Sequence, residues 1–149
     1  MTQDVGFMAE AFEQAKASMA EGGIPIGAIL VCDGEVIGRG FNRRVQHKSA
    51  IHHAEMNCFE NAGRLSPSIY RRSTLYTTLS PCYMCAGAAL LFGVKKIVVG
   101  ENRTANMGEQ FLRERGVELK LLDDSDCYEL LQSYIKAQPE VWNEDNGGN

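Results

Sequence analysis

Ser73-Thr74-Leu75-Tyr76-Thr77-Thr78-Leu79-Ser80-Pro81-Cys82-Tyr83-Met84-Cys85 is the stretch from which the fold is read. Residues 73–77 are β-formers and predict a strand. Ser80-Pro81 reads as a helix N-cap followed by proline at the first helical position, where a missing N–H costs nothing. The helix so opened covers about residues 82–92 and is apolar nearly all round, which predicts burial.

On the amino-terminal side, Phe7, Ala11, Phe12, Ala15 and Met19 recur at helical spacing and predict an amphipathic helix over 4–21, ended by Gly22-Gly23. Residues 26–32 and 35–39 are strand-like runs joined at Asp33-Gly34, a hairpin turn signal. A polar loop is expected over 40–49 and a helix over about 53–61, stopping near Gly63. On the carboxyl side the pattern predicts strands at 96–99 and 117–122, helices at 109–115 and 126–137, and an acidic tail over 139–149. Helices alternating with strands after an opening hairpin indicate an α/β sheet covered on both faces.

At 149 residues, with 44% hydrophobic and 23% charged residues, the chain has the size and composition of one globular domain. No apolar run approaches the roughly 20 residues of a membrane span. Residues 1–10 lack the basic-then-apolar pattern of a signal peptide, so a cytoplasmic protein is expected. A net charge of −4, with basic residues scattered in pairs, opposes a nucleic-acid surface, which needs clustered Lys and Arg. Five cysteines in a reducing compartment are not a disulfide framework. Cys32, Cys58 and Cys127 lie among apolar neighbours and read as buried thiols.

Two short motifs carry chemistry: His53-Ala54-Glu55 and Pro81-Cys82-Tyr83-Met84-Cys85. A Cys-x-x-Cys pair at a helix start puts two sulfurs on one turn, where free N–H groups favour thiolate. Two thiolates and an imidazole suit Zn²⁺, and three protein ligands leave the fourth position open for water, the mark of a catalytic site. His53 and Glu55 lie about 200° apart around an ideal helix, so they serve one site only if it sits off the helix's amino-terminal end. Cys58, about 140° from His53, and His52, about 100° aside, face elsewhere; His47, in the loop, stays open as a fourth ligand. Alone, a Cys-x-x-Cys also fits a redox pair and a His-x-Glu carries nothing. In this order they form the signature of the zinc deaminases.

On these motifs the chain resembles the cytidine/deoxycytidylate deaminase superfamily, and within it the fungal-type cytosine deaminases. The likeness runs from about residue 6 to residue 145. It takes in Glu21-Gly22-Gly23-Ile24-Pro25-Ile26-Gly27, Gly38-Arg39-Gly40 with Asn42, residues 75–82, Val99-Gly100-Glu101-Asn102, and the ending Trp142-x-Glu144-Asp145. The resemblance implies a three-layer α/β/α sandwich around a central five-stranded mixed sheet, a homodimer, and one Zn²⁺ per chain on His53, Cys82 and Cys85. It implies hydrolytic deamination of a free base, cytosine to uracil and ammonia, with Glu55 moving the protons. Asn42 and Asp145 would hydrogen-bond the base and Trp142 would wall the pocket. Ile26, Ala54, Leu79 and Ser80 would line it, and the tail at 139–149 would cover it.

The chain departs from that family in residues 102–108, which lack the aromatic that stacks on the base; either Met107 or Phe111 fills the gap, or the pocket is wider. Isocytosine, a 5-substituted cytosine or guanine are alternative substrates. A tRNA adenosine deaminase shares both motifs, but the acidic balance opposes it. A zinc-binding module without catalysis would have no use for Glu55.

Overall fold

The structure, a computed structural model, describes residues 2–145. Helix α1 (Thr2–Ala20) precedes the hairpin β1 (Gly27–Cys32) and β2 (Glu35–Phe41). Helices α2 (Arg44–His47), α3 (Ala54–Ala62) and α4 (Pro67–Arg71) follow. Strand β3 (Ser73–Leu79), helix α5 (Tyr83–Phe92), strand β4 (Lys96–Glu101), helix α6 (Glu109–Glu114) and strand β5 (Glu118–Leu121) alternate after them. The chain closes with α7 (Ser125–Ala137) and α8 (Pro139–Asp145). Among the described residues no helix is long and apolar enough to cross a membrane.

The sheet is mixed, in the order β2-β1-β3-β4-β5, as the resemblance implies. β1 runs antiparallel to β2 and β3, whereas β3, β4 and β5 are mutually parallel. Asp33 (φ 52°) and Gly34 (φ 82°) both take the left-handed conformation that a two-residue hairpin demands. Alternate strand residues divide between two cores. Ile29, Val31, Tyr76 and Val98 face Met8 and Ala11 of α1. Ala28, Leu30, Leu75, Ile97 and Val99 face Ala54 and Cys58 of α3, Ala86 and Ala89 of α5 and Leu112 of α6. Helix α7 serves both, through Cys127 on one side and Leu131 and Tyr134 on the other.

Several elements differ from the sequence expectation for identifiable reasons. The buried stripe of α1 is Asp4, Met8, Ala11, Ala15 and Ser18, whereas Met19 is exposed. Alanines face the sheet because α1 lies so close to β1 that a Cβ at Gly27 would strike the α1 backbone. Asp4 is tolerated in that stripe because Tyr76 Oη (2.6 Å) and Lys120 Nζ (2.6 Å) both donate to its carboxylate. The expected loop at 40–49 contains the helical turn α2, and the expected acidic tail is helical through Asp145 as α8; residues 146–149 lie outside the described residues. Helix α4 was not anticipated, although Ser66 capping Ile69 N, with Pro67 behind it, is a legible start signal. Ser80-Pro81 does not cap α5: Ser80 still pairs with β4 through its N–H to Glu101 O (3.0 Å), and the N-cap is Cys82. Helix α5 fully buries only Cys85, Ala86 and Ala89; Ala88, Leu90 and Phe92 are half-buried against the core, and Tyr83 and Leu91 are exposed.

Gly38 and Gly40 lie two apart on β2 and present one bare face to α3. A Cβ at Gly38 would lie 2.8 Å from the Ala62 side chain, and one at Gly40 would collide with the Cys58 backbone N–H. This close approach sets how near α3 lies to the sheet. Gly40→Ala is expected to cost about 1–3 kcal/mol through overpacking and to lower metal content by displacing α3. Gly6→Ala, in open space on α1, should stabilise by roughly 0.5–1 kcal/mol. Urea denaturation and elemental analysis of both variants check the pair.

Candidate active site

Helices α3 and α5 start at the same end of the sheet, and each start carries one motif. His53 is the N-cap of α3, in extended conformation, with its side chain outside the helix and not used in capping. Cys82 is the N-cap of α5, and its Sγ accepts from the Cys85 N–H at 3.5 Å. The His53 Nδ1 atom lies 3.3 Å from Cys82 Sγ and 3.6 Å from Cys85 Sγ. All three donor atoms fall within 4.8 Å of one another, and no other such group occurs among the described residues. Tetrahedral zinc with Zn–N of about 2.0 Å and Zn–S of about 2.3 Å requires N···S separations of about 3.5 Å. The donor set and its spacing therefore fit zinc. Cys58 is fully buried in the core and outside the cluster. His47 is also outside it, its Nδ1 paired with His52 Nδ1 at 2.8 Å.

The protein's own charges prepare these groups. Cys82 is held down to about 4: the Cys85 thiol donates to it, and His53 and the Cys85 N–H add to that effect against the cost of burial. Cys85 is pushed up by the same hydrogen bond and by burial. Burial works against a charged His53, but the hydrogen bonds to Asp145 and Cys82 outweigh it and raise its pKa to about 10. Glu55, 4% exposed in the first turn of α3, is raised to about 7 by burial and by the negative charge on Cys82, with His53 acting the other way. A carboxyl poised there gives and takes a proton near neutral pH.

The cluster opens into a cavity of about 290 Å³, bounded by Ile26, Asn42, Leu79, Ser80, Trp142 and Asp145 together with Glu55. Ala54 does not line it; at the first position of α3 its methyl group turns into the core while its neighbours face the site. The Asn42 Oδ1 accepts from the Arg44 N–H at 3.0 Å, which leaves its NH₂ as the amide's remaining donor. Ser80 Oγ donates to the buried Glu109 carboxylate at 2.6 Å, which Asn102 Nδ2 and Arg113 Nη1 also reach. Met107 and Ala105 line the cavity in the segment that lacks an aromatic, and Phe111 does not. Arg44 was missed in the sequence. It lines the cavity and reaches Asp145 with Nε at 3.4 Å, and no local signal ties residue 44 to residue 145.

The profile of the cytidine and deoxycytidylate deaminase zinc-binding region matches residues 1–101. The chain belongs to that deaminase family. It is 51% identical over 138 residues, 92% of each chain, to a cytosine deaminase of Candida albicans. It is also 46% identical over 101 residues to a tRNA-specific adenosine deaminase of Bacillus subtilis, covering 67% of this chain and 63% of the other. Among solved structures, one from a study of A-to-I editing by tRNA:A34 deaminases superposes with a TM-score of 0.72 at 28% identity, covering 85% of this chain and 99% of that one. Zinc is the cofactor of this deaminase, and His53, Cys82 and Cys85 form a site that fits it. Cys82→Ala and Cys85→Ala are each expected to lose zinc and activity together. Elemental analysis checks this, and a full complement of zinc in either variant contradicts the ligand assignment.

Proposed function

We propose that this deaminase converts free cytosine to uracil and ammonia, with helix α8 (Pro139–Asp145) covering the site. The observation that carries the reading is that Trp142 and Asp145 of α8 stand in the wall of the cavity that contains Glu55 and the metal cluster. A wall there leaves room for a base and opposes a ribose or a polynucleotide. The identity to the Candida albicans cytosine deaminase supports the same substrate.

His53, Cys82 and Cys85 would hold the zinc, which when bound would lower the pKa of water toward about 7 and make a nucleophile available at neutral pH. Glu55 takes a proton from the attacking water and passes it to the ring nitrogen beside the amine-bearing carbon. The water oxygen adds to that carbon. Glu55 then carries the second proton to the amine, the C–N bond breaks, and ammonia leaves. Atoms balance as cytosine plus water giving uracil plus ammonia. The pKa of Glu55, raised to about 7, suits both directions of transfer. The NH₂ of Asn42 donates to the base and Asp145 accepts from its amine. A pocket polar group left unpaired costs roughly 1–3 kcal/mol, which makes such a clamp selective. Trp142 stacks on the ring, and Ile26, Leu79 and Ser80 complete the wall.

A second base is favoured by one observation: Met107, which is 37% exposed, stands in the wall with the small Ala105 beside it. This flexible wall accommodates a 5-substituted cytosine or isocytosine beside cytosine. The exposed apolar Tyr83 and Leu91 of α5, 67% and 80% accessible, support a homodimer through that face. A cytoplasmic place in pyrimidine salvage is consistent with thiolate ligands, which a reducing compartment preserves.

Glu55→Gln is expected to keep zinc and fold while turnover falls by about 10²–10⁴-fold or more, since proton transfer alone contributes that much; near-normal ammonia release overturns the mechanism. For the substrate, ammonia release is measured from cytosine, 5-methylcytosine, isocytosine, guanine, cytidine and a tRNA anticodon stem. Cytosine or another free pyrimidine should be fastest. Faster turnover of cytidine or the tRNA stem refutes the base-specific reading.

A further inference from the structure

A histidine that ligates through Nδ1 carries its proton on Nε2, and that N–H needs an acceptor of its own. In this chain the acceptor comes from the far end of the sequence. His53 Nε2 donates to Asp145 Oδ1 at 2.7 Å, across 92 residues, and the two side chains are 14% and 9% exposed. The same oxygen faces Arg44 Nε at 3.4 Å, and the Arg44 side chain is 16% exposed. Arg44 is itself anchored: its Nη1 reaches the Ala50 carbonyl at 3.4 Å, and its N–H holds Asn42 Oδ1 at 3.0 Å. One carboxylate oxygen is thus committed to the metal ligand and its brace, and the other remains for the cavity.

We propose that Asp145 positions the metal ligand His53, and that Arg44 is a positioning residue bracing Asp145, so that α8 completes the metal site from outside. This goes beyond the proposed base contact of Asp145, since it gives that carboxylate a task with no substrate present. The charge on Asp145 fixes the His53 tautomer and ring plane and makes Nδ1 a better donor to the metal. Outer partners of this kind typically hold 10–100-fold in metal affinity. Arg44 keeps the carboxylate turned toward His53 through a guanidinium whose geometry a lysine does not reproduce.

The test uses zinc-loaded protein and a chromogenic chelator in excess, with no substrate. Asp145→Ala should release zinc about 10–100-fold faster, Asp145→Asn should release it at an intermediate rate, and Arg44→Lys should move the rate in the same direction. Glu144→Ala, an exposed carboxylate on the same helix, should match the parent. Cobalt-substituted protein supplies a second readout: Asp145→Asn should shift the visible ligand-field bands while the melting temperature holds. Parent-like release in Asp145→Ala overturns the proposal, as does equal acceleration in Glu144→Ala or an unshifted cobalt spectrum, which would indicate general loosening of α8. Because neither readout involves a base, the outcome is independent of whether cytosine is the substrate.

Discussion

Two helix amino termini must meet within a few ångströms for the metal cluster to exist, and the close seating of α3 on β2 makes that possible. The seat is two bare positions, Gly38 and Gly40, against which Ala62 and the Cys58 backbone rest without intervening side chains. Any larger residue lifts α3, and with it His53 and Glu55, away from α5. The parallel pair β3 and β4 fixes the other partner. Ser80 remains tied to Glu101 before the chain turns, so α5 begins at Cys82 and not earlier. Sheet register is thereby converted into donor-atom spacing.

The electrostatics of the cluster follow from that meeting. The Cys85 thiol, with His53 and the Cys85 N–H of the helix start behind it, favours thiolate at Cys82, and the resulting negative charge acts on the buried Glu55 carboxyl. One charge therefore prepares a ligand and also tunes the proposed proton carrier. Burial supplies the rest, since a carboxyl out of water resists ionising. A solvent-exposed glutamate two residues from a ligand would not be poised near 7.

Around the cluster, a long-range hydrogen bond and an ion pair join segments that the strand order leaves apart. Glu109 of α6 holds the hydroxyl of Ser80, and Arg44 of α2 reaches Asp145 of α8. Such buried networks specify one arrangement when every member is satisfied. They also make the cavity wall a joint product of the chain's two ends, with Ile26 and Asn42 opposite Trp142 and Asp145.

In the sequence, His53-Ala54-Glu55 and the Cys82–Cys85 pair were legible as candidate metal ligands and proton carrier, because spacing along a helix start is a local property, whereas His47 stayed open as a fourth ligand until the fold placed it outside the cluster. The hairpin at Asp33-Gly34 and the alternation of strands with helices were legible for the same reason. Which face of α1 lies against the sheet was decided by tertiary contact: Gly27 admits a close helix, so small residues and the paired Asp4 turn inward while Met19 stays out. The cap of α5 went to Cys82 because Ser80 was already engaged by β4 and Glu109. The part of α8 in the wall, the turning of Ala54 into the core, and the link from Arg44 through Asp145 to His53 were likewise set by packing. Contacts between residues a hundred positions apart leave no period or spacing in the chain, and only the folded sheet brings them together.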